Sequence, residues 1–165
     1  MQLQFVYDMQ YCTGCKACQV ACKDCHGLET GLLYRRVLSE EGGSFEPSPD
    51  GGYVNHVFAR YQSLSCLHCA EPACMSRCPA GAITKKKVRF EEAEGEIVVL
   101  DSALCIGCGR CKKLCPQDAP VFNKKTGRME KCDFCAALLE KGELPACVSA
   151  CPLRLIHAAL KDGES

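Results

Sequence analysis

Sixteen of the seventeen cysteines of this chain fall into four groups of four. The first is Cys12-x₂-Cys15-x₂-Cys18-x₃-Cys22, and the second is Cys66-x₂-Cys69-x₄-Cys74-x₃-Cys78-Pro79. The third is Cys105-x₂-Cys108-x₂-Cys111-x₃-Cys115-Pro116, and the fourth is Cys132-x₂-Cys135-x₁₁-Cys147-x₃-Cys151-Pro152. Three cysteines at two-residue steps lie on one tight loop, where their sulfurs can hold three corners of a cube. Such a loop also turns backbone N–H groups toward the sulfurs, which tunes a bound metal centre. Gly14, Gly107 and Gly109 sit inside these loops, where the missing side chain lets the backbone curl or take positive φ. The proline after the last cysteine has no N–H to donate and turns the chain away.

The spacing is that of cysteine runs in bacterial ferredoxins, C-x₂-C-x₂-C-x₃-C-P, whose fourth cysteine reaches over to a second cluster. Four such runs imply four 4Fe–4S clusters. Two other uses of cysteine fit less well. Disulfides do not readily form between cysteines two residues apart, and Met1 to Tyr11 lacks the charged and apolar regions of a secretion signal. Zinc sites take four thiolates per ion from two separated C-x₂-C pairs, which leaves the closely placed third cysteine unexplained.

Composition agrees. The apolar share is 47%, but about a tenth of the chain is cysteine, so without it the share is about 37%. There is no Trp, with six Phe and five Tyr. This is too little apolar material for two ordinary cores, so metal binding must supply folding free energy. The formal net charge of +0 omits the thiolates. Counting them and four oxidised cluster cores leaves the loaded protein near roughly −8. Lys16, Lys23, Arg77, Arg110, Lys112, Lys113 and Lys131 flank the ligands and are expected to offset that charge. The basic run Lys85–Lys87 is too short for a nucleic-acid footprint. No apolar stretch approaches the ~18 residues of a membrane span, so no direct membrane insertion is expected.

Alternation predicts a strand over 3–9, another over 54–63 and a third over 96–100. Helix is expected after Cys22, an exposed turn-rich insertion over 42–52, and a hairpin through 121–131. A short helix is expected over 136–141, stopped by Gly142. Each strand–loop–helix piece is half of a two-cluster ferredoxin-like module. The fold class expected is therefore α+β, with two such modules. Fewer residues separate Cys78 from Cys105 than Cys22 from Cys66, so loop-closure entropy favours pairing groups two and three. One module would span 1–45 plus 124–165, and the other, inserted into it, 53–123.

The chain resembles the iron–sulfur (B) subunits of the dimethyl sulfoxide reductase, or molybdopterin oxidoreductase, family. The resemblance is carried by Cys12-Thr13-Gly14-Cys15-Lys16, Ala21-Cys22-Lys23-Asp24, Leu64 to Cys69, Glu71 to Cys74 and Cys78 to Ala82. Cys105 to Cys108, Lys131 to Cys135, Pro145 to Cys147 and Ala150 to Arg154 carry it further. It implies four clusters with crossed ligand sets. One takes Cys12, Cys15, Cys18 and Cys151, and its module partner takes Cys22, Cys132, Cys135 and Cys147. A third takes Cys66, Cys69, Cys74 and Cys115, and the fourth Cys78, Cys105, Cys108 and Cys111. In nitrate reductase relatives the position matching Cys111 is not cysteine and that cluster loses an iron; here the cysteine is present. Where the family carries a glycine-containing turn after the third group, this chain reads Pro116-Gln117-Asp118-Ala119-Pro120.

The same resemblance implies a non-catalytic electron-transfer subunit, relaying single electrons between a molybdopterin catalytic subunit and a membrane anchor subunit with a quinone site. It would be membrane-associated through those partners. Rival readings are a cytoplasmic polyferredoxin of a hydrogenase or formate-hydrogenlyase system and a zinc-stabilised interaction module. No catalytic residues are expected: paired carboxylates, a nucleophile elbow, a phosphate loop and a dinucleotide fingerprint are all missing from the sequence. Cys25 is read as a spectator thiol, and His68 as a structural or hydrogen-bonding residue inside the second loop.

Overall fold

The computed structural model describes residues 1–162. Its elements are short strands and helices of the α+β class, and they exist to position loops. The strand β1, Gln2–Tyr7, buries Leu3 and Phe5 on one face. The first helix, α1, spans Ala17–Cys25. This corrects the expectation of helix only after Cys22. Lys16 takes a left-handed conformation at φ 62° and starts the helix directly behind Cys15, so Cys18 and Cys22 ride on it one turn apart.

Two strands, β2 (Arg36–Gly42) and β5 (Phe58–Leu64), form an antiparallel ribbon. Between them β3 (Phe45–Pro47) and β4 (Tyr53–Asn55) close a further hairpin. The expected turn-rich insertion is exposed, but it is a paired ribbon. Its turn residues sit at the tip, where the Ser48 N–H donates to the Gly52 carbonyl at 2.8 Å.

After the short helix α2 (Ala73–Ser76) comes an antiparallel pair, β6 (Ile83–Phe90) and β7 (Ala93–Leu100). Sequence alternation marks β7 and misses β6. Its central Lys85–Lys87 run hides the alternation, since Ile83, Val88 and Phe90 alone are buried. Those lysines tie the fold together: Lys85 lies 3.2 Å from Glu96, and Lys86 lies 2.8 Å from Glu140. Next follow α3 (Arg110–Lys113), the expected hairpin β8 (Val121–Asn123) with β9 (Arg128–Glu130), α4 (Ala136–Leu139) and α5 (Ala146–Ser149).

The last strand, β10 (Ile156–Lys161), is likewise absent from the sequence expectations, and it pairs antiparallel with β1 along its whole length. One four-stranded sheet results, in the order β10-β1-β7-β6. Against it packs a core of Leu3, Phe5, Val88, Phe90, Ile97 and Phe134 that also contains buried cysteines. Among the described residues no helix is long and apolar enough to cross a membrane.

Candidate metal centres

All seventeen cysteines carry free thiols. Their backbone explains how the loops aim them. Left-handed residues recur inside the runs: Gly14 and Lys16, His68, Gly107 and Gly109, then Phe134 and Cys135. Each such residue reverses the curl of the chain, so successive N–H groups converge on the inside of the loop, where negative charge is stabilised. Sulfur is their acceptor. Gly107 donates to Cys105 Sγ at 3.4 Å, Phe134 to Cys132 Sγ at 3.4 Å, and Leu155 to Cys151 Sγ at 3.3 Å. Asp118 takes a left-handed turn at φ 47° after the third group, in place of glycine, and Ala119 then donates to Cys115 Sγ at 3.4 Å.

Within the third cysteine loop, glycine is required at Gly107. Its φ is +71°, and a Cβ there would stand 2.1 Å from the Gly127 carbonyl oxygen. Gly107→Ala is expected to cost about 1–3 kcal/mol in backbone strain alone and to push the β8–β9 hairpin off the third loop. Gly109→Ala meets nothing within 4 Å and keeps only the φ penalty. Denaturant titration of the iron-loaded variants would check the order: Gly107→Ala must melt well before Gly109→Ala.

Three cavities collect the remaining geometry. One is lined by Cys12, Cys15, Cys18 and Cys151. Another is lined by Cys66, Cys69, Cys74 and Cys115. A third is lined by Cys78, Cys105, Cys108 and Cys111. The other four ligating candidates, Cys22, Cys132, Cys135 and Cys147, are each buried in the interior. They sense one another's charge: Cys147 acts on Cys22, Cys132 and Cys135 alike.

Burial makes these thiols hard to ionise. It pushes Cys22 up to about 12 and Cys74 to about 11, and raises Cys132, Cys135 and Cys147 as well, with neighbouring thiolates adding to the effect. A cation must therefore displace protons to bind here.

Two buried donors have no acceptor among the protein atoms: Arg35 Nε and His68 Nε2. His68 is fully buried, and its Nδ1 accepts from Val98 N–H at 3.1 Å, which leaves the hydrogen on Nε2. Burial drives its pKa well below the usual value, so it is neutral. Its ring packs edge-on against Phe134 at 5.0 Å. An iron–sulfur cluster, with sulfide corners able to accept hydrogen bonds, fits such a donor set, as do the convergent thiols.

Comparison with known proteins decides the family. Residues 57–160 match the 4Fe–4S dicluster domain. Over 158 residues the sequence is 42% identical to the B subunit of the anaerobic dimethyl sulfoxide reductase of Haemophilus influenzae, covering 96% of this chain and 74% of that one. This protein belongs to that iron–sulfur family. It is also 41% identical over 156 residues to YnfG, a probable anaerobic dimethyl sulfoxide reductase subunit of Escherichia coli K12, covering 94% and 72%. With the formate dehydrogenase-O iron-sulfur subunit of E. coli K12 it shares 33% over 169 residues, covering 94% and 52%. As a dimethyl sulfoxide reductase B-type subunit it is an iron–sulfur electron-transfer protein of an oxidoreductase complex.

Two residues of this B-type subunit stand apart from the sixteen. Cys25 is exposed, with its thiol grouped with His26 and Cys135 so that their ligand atoms lie within 4.8 Å of one another. His26 Nε2 is 3.4 Å from Cys135 Sγ and 3.5 Å from Asp133 Oδ1. Sequence reasoning assigns His26 no constellation, because the partner cysteine is remote in sequence. It also misses Arg35, which no motif marks.

Proposed function

We propose that this chain relays single electrons through four 4Fe–4S clusters, between a molybdopterin catalytic subunit and a membrane anchor subunit with a quinone site. The ligand sets are Cys12, Cys15, Cys18 and Cys151; Cys22, Cys132, Cys135 and Cys147; Cys66, Cys69, Cys74 and Cys115; and Cys78, Cys105, Cys108 and Cys111. Bound clusters supply reversible one-electron storage. The observation that carries the reading is that cysteines assigned to successive sets lie near one another, which would give the sets a linear order.

The chain's own residues make that order. Cys18 and Cys22 share one helix, and Cys147 senses Cys18, so the first two sets are neighbours. Cys66 is foremost among the charges acting on Cys132, which brings the second set beside the third. Contacts between α2 and α3 hold the third beside the fourth, since Cys74 lies in α2 with Cys78 just beyond its end, and Cys111 lies in α3 with Cys115 just beyond its end. Of the two inner sets the second is wholly buried and the third has Cys66 buried, whereas Cys15 and Cys108 are exposed in the two outer sets. Water is thus excluded around the second set, and both ends are open to partners. Ile106, 66% exposed in the third loop, and Leu153, 48% exposed after Cys151, offer apolar contact beside those ends.

The reading includes two nested modules, 1–45 plus 124–165 and 53–123, of which residues 163–165 lie outside the described residues. The β1–β10 pairing and the packing of α1 on α5 support the first. Membrane association would come through the partners.

Metal and sulfide analysis of anaerobically purified protein tests the proposal. Iron and acid-labile sulfide near ~16 each are expected, against ~4 zinc ions for a zinc-stabilised module. Copurification with a hydrogenase, and none with a molybdopterin subunit, would move the reading to a polyferredoxin.

A further inference from the structure

Arg35 heads the fully buried side chains of this protein, at 1% exposure, and among the described residues it forms no ion pair with a carboxylate. Its Nη1 donates to Ser63 Oγ at 3.0 Å, and its Nη2 to Ser65 Oγ at 2.8 Å and Tyr7 OH at 3.3 Å. The guanidinium also lies over the rings of Phe5, 4.7 Å from its centroid, and Tyr7, at 5.3 Å. Every one of these partners is neutral, because burial keeps the Tyr7 phenol from ionising. A guanidinium does not shed its proton inside a protein, so it needs a counter-charge.

The neighbouring thiols are the available source. Phe5, beneath the guanidinium, stacks at 4.1 Å on Phe134, which lies between Cys132 and Cys135 in the fourth cysteine group. Cys147 and Cys132 are accordingly among the charges that act on Arg35. Through Ser63, whose hydroxyl is 3.4 Å from Cys18 Sγ, the same cation reaches the first set. Its Nε–H, buried and unpartnered, needs an acceptor that no protein atom provides. The other buried cation, Lys131, is already engaged, with Nζ donating to the backbone oxygens of Val98 and Cys132.

We propose that Arg35 is the fixed counter-ion of the cluster held by Cys22, Cys132, Cys135 and Cys147, with its Nε–H donating to a sulfur of that cluster. The inference rests on the ligand sets above. Reduction adds one negative charge to a cluster, and a permanent cation beside it in a low-dielectric interior favours the reduced form. Arg35 is therefore a positioning and tuning residue that raises the potential of that cluster. An electron crossing between the halves of the chain then finds a site that holds it away from water.

The test is an anaerobic redox titration of the full, cluster-loaded chain, followed by electron paramagnetic resonance, for wild type, Arg35→Lys and Arg35→Gln. In Arg35→Gln one midpoint is expected to fall well below its wild-type value, with smaller shifts in its neighbours. Arg35→Lys restores most of the loss, because it keeps the charge. A fully loaded Arg35→Gln protein whose four midpoints match wild type overturns the inference. Should Arg35→Gln lose its clusters, pulsed resonance on wild type labelled with ¹⁵N-arginine decides instead. One guanidinium nitrogen must couple to a reduced cluster, and that coupling must vanish in Arg35→Lys; no coupling in wild type rejects the proposal. Wild type with far less than the ~16 irons of four cubanes would instead sink the ligand sets themselves.

Discussion

Cys132→Ala is expected to lose between one iron and a whole cubane, out of ~16 irons in the loaded chain, and to cut electron passage between its two ends. The reason is position. Cys132 is buried beside Cys66, where the proposed second set would meet the proposed third. An outer set has exposed members, and losing one of their thiols leaves the rest of the path intact. Loss at Cys132 interrupts the middle. The control is Cys25→Ala: the thiol lies near Cys135 but outside the proposed sets, so full iron content is expected. Iron analysis separates the two variants, and stopped-flow reduction with a partner at either end reads the interruption. Equal iron in both would remove Cys132 from the ligands.

Stripping the metal should have the largest effect of all. The core contains cysteine where an ordinary domain has leucine or isoleucine: Cys18, Cys22, Cys66, Cys132 and Cys147 stand in the main cluster. Structural metal binding of this kind supplies on the order of 10 kcal/mol, comparable to the whole stability of a domain. The iron-free chain is expected to show no cooperative thermal transition, checked by calorimetry or circular dichroism. What structure it retains should respond to pH in a definite direction. Thiols whose folded pKa is raised favour the fold below the unfolded value near 9 and lose that contribution as pH rises through about 11 for Cys74 and about 12 for Cys22. Residual helix signal should therefore fall between pH 9 and 12. Reloading with iron and sulfide draws protons off the same thiols, so it should be faster at pH 8.5 than at pH 6.5.

Much of the fold was legible because the loops announce themselves. The turn of the β8–β9 hairpin lies between Asn123 and Arg128 as turn chemistry suggests, while α4 stops at Leu139, short of the expected 141, and Gly142 follows at φ 75° with its N–H donating to the Leu139 carbonyl. The start of α1 was misplaced, since a left-handed lysine at position 16 carries no propensity signal. Strand β6 escaped because its three consecutive lysines stand exposed in a run that breaks period-two alternation. Strand β10 escaped because its partner, β1, stands at the other end of the chain.

The candidate site divides in the same way. Ligand identity is local: cysteine spacing, glycines and prolines suffice to recognise iron–sulfur runs. His68 was noticed from its place in the second loop, but its neutral state and orphaned Nε2 follow from complete burial. His26 and Cys135 meet only in space. Arg35 has the position of an unremarkable surface residue in the sequence, next to Arg36, which reaches the Asp118 carboxylate at 3.6 Å.

Sequence by itself determined the chemistry of this protein: sixteen thiols at spacings that suit iron–sulfur clusters, in a chain too poor in apolar residues to fold on them alone. Spacing acts over a few residues, and a loop of that length can be read without knowing its surroundings. Tertiary structure alone decided where charge is buried. Only when β1, the start of the β2–β5 ribbon and the second and fourth cysteine groups close on one point does Arg35 lose its water. Desolvation depends on everything that surrounds a group, and no local pattern encodes that.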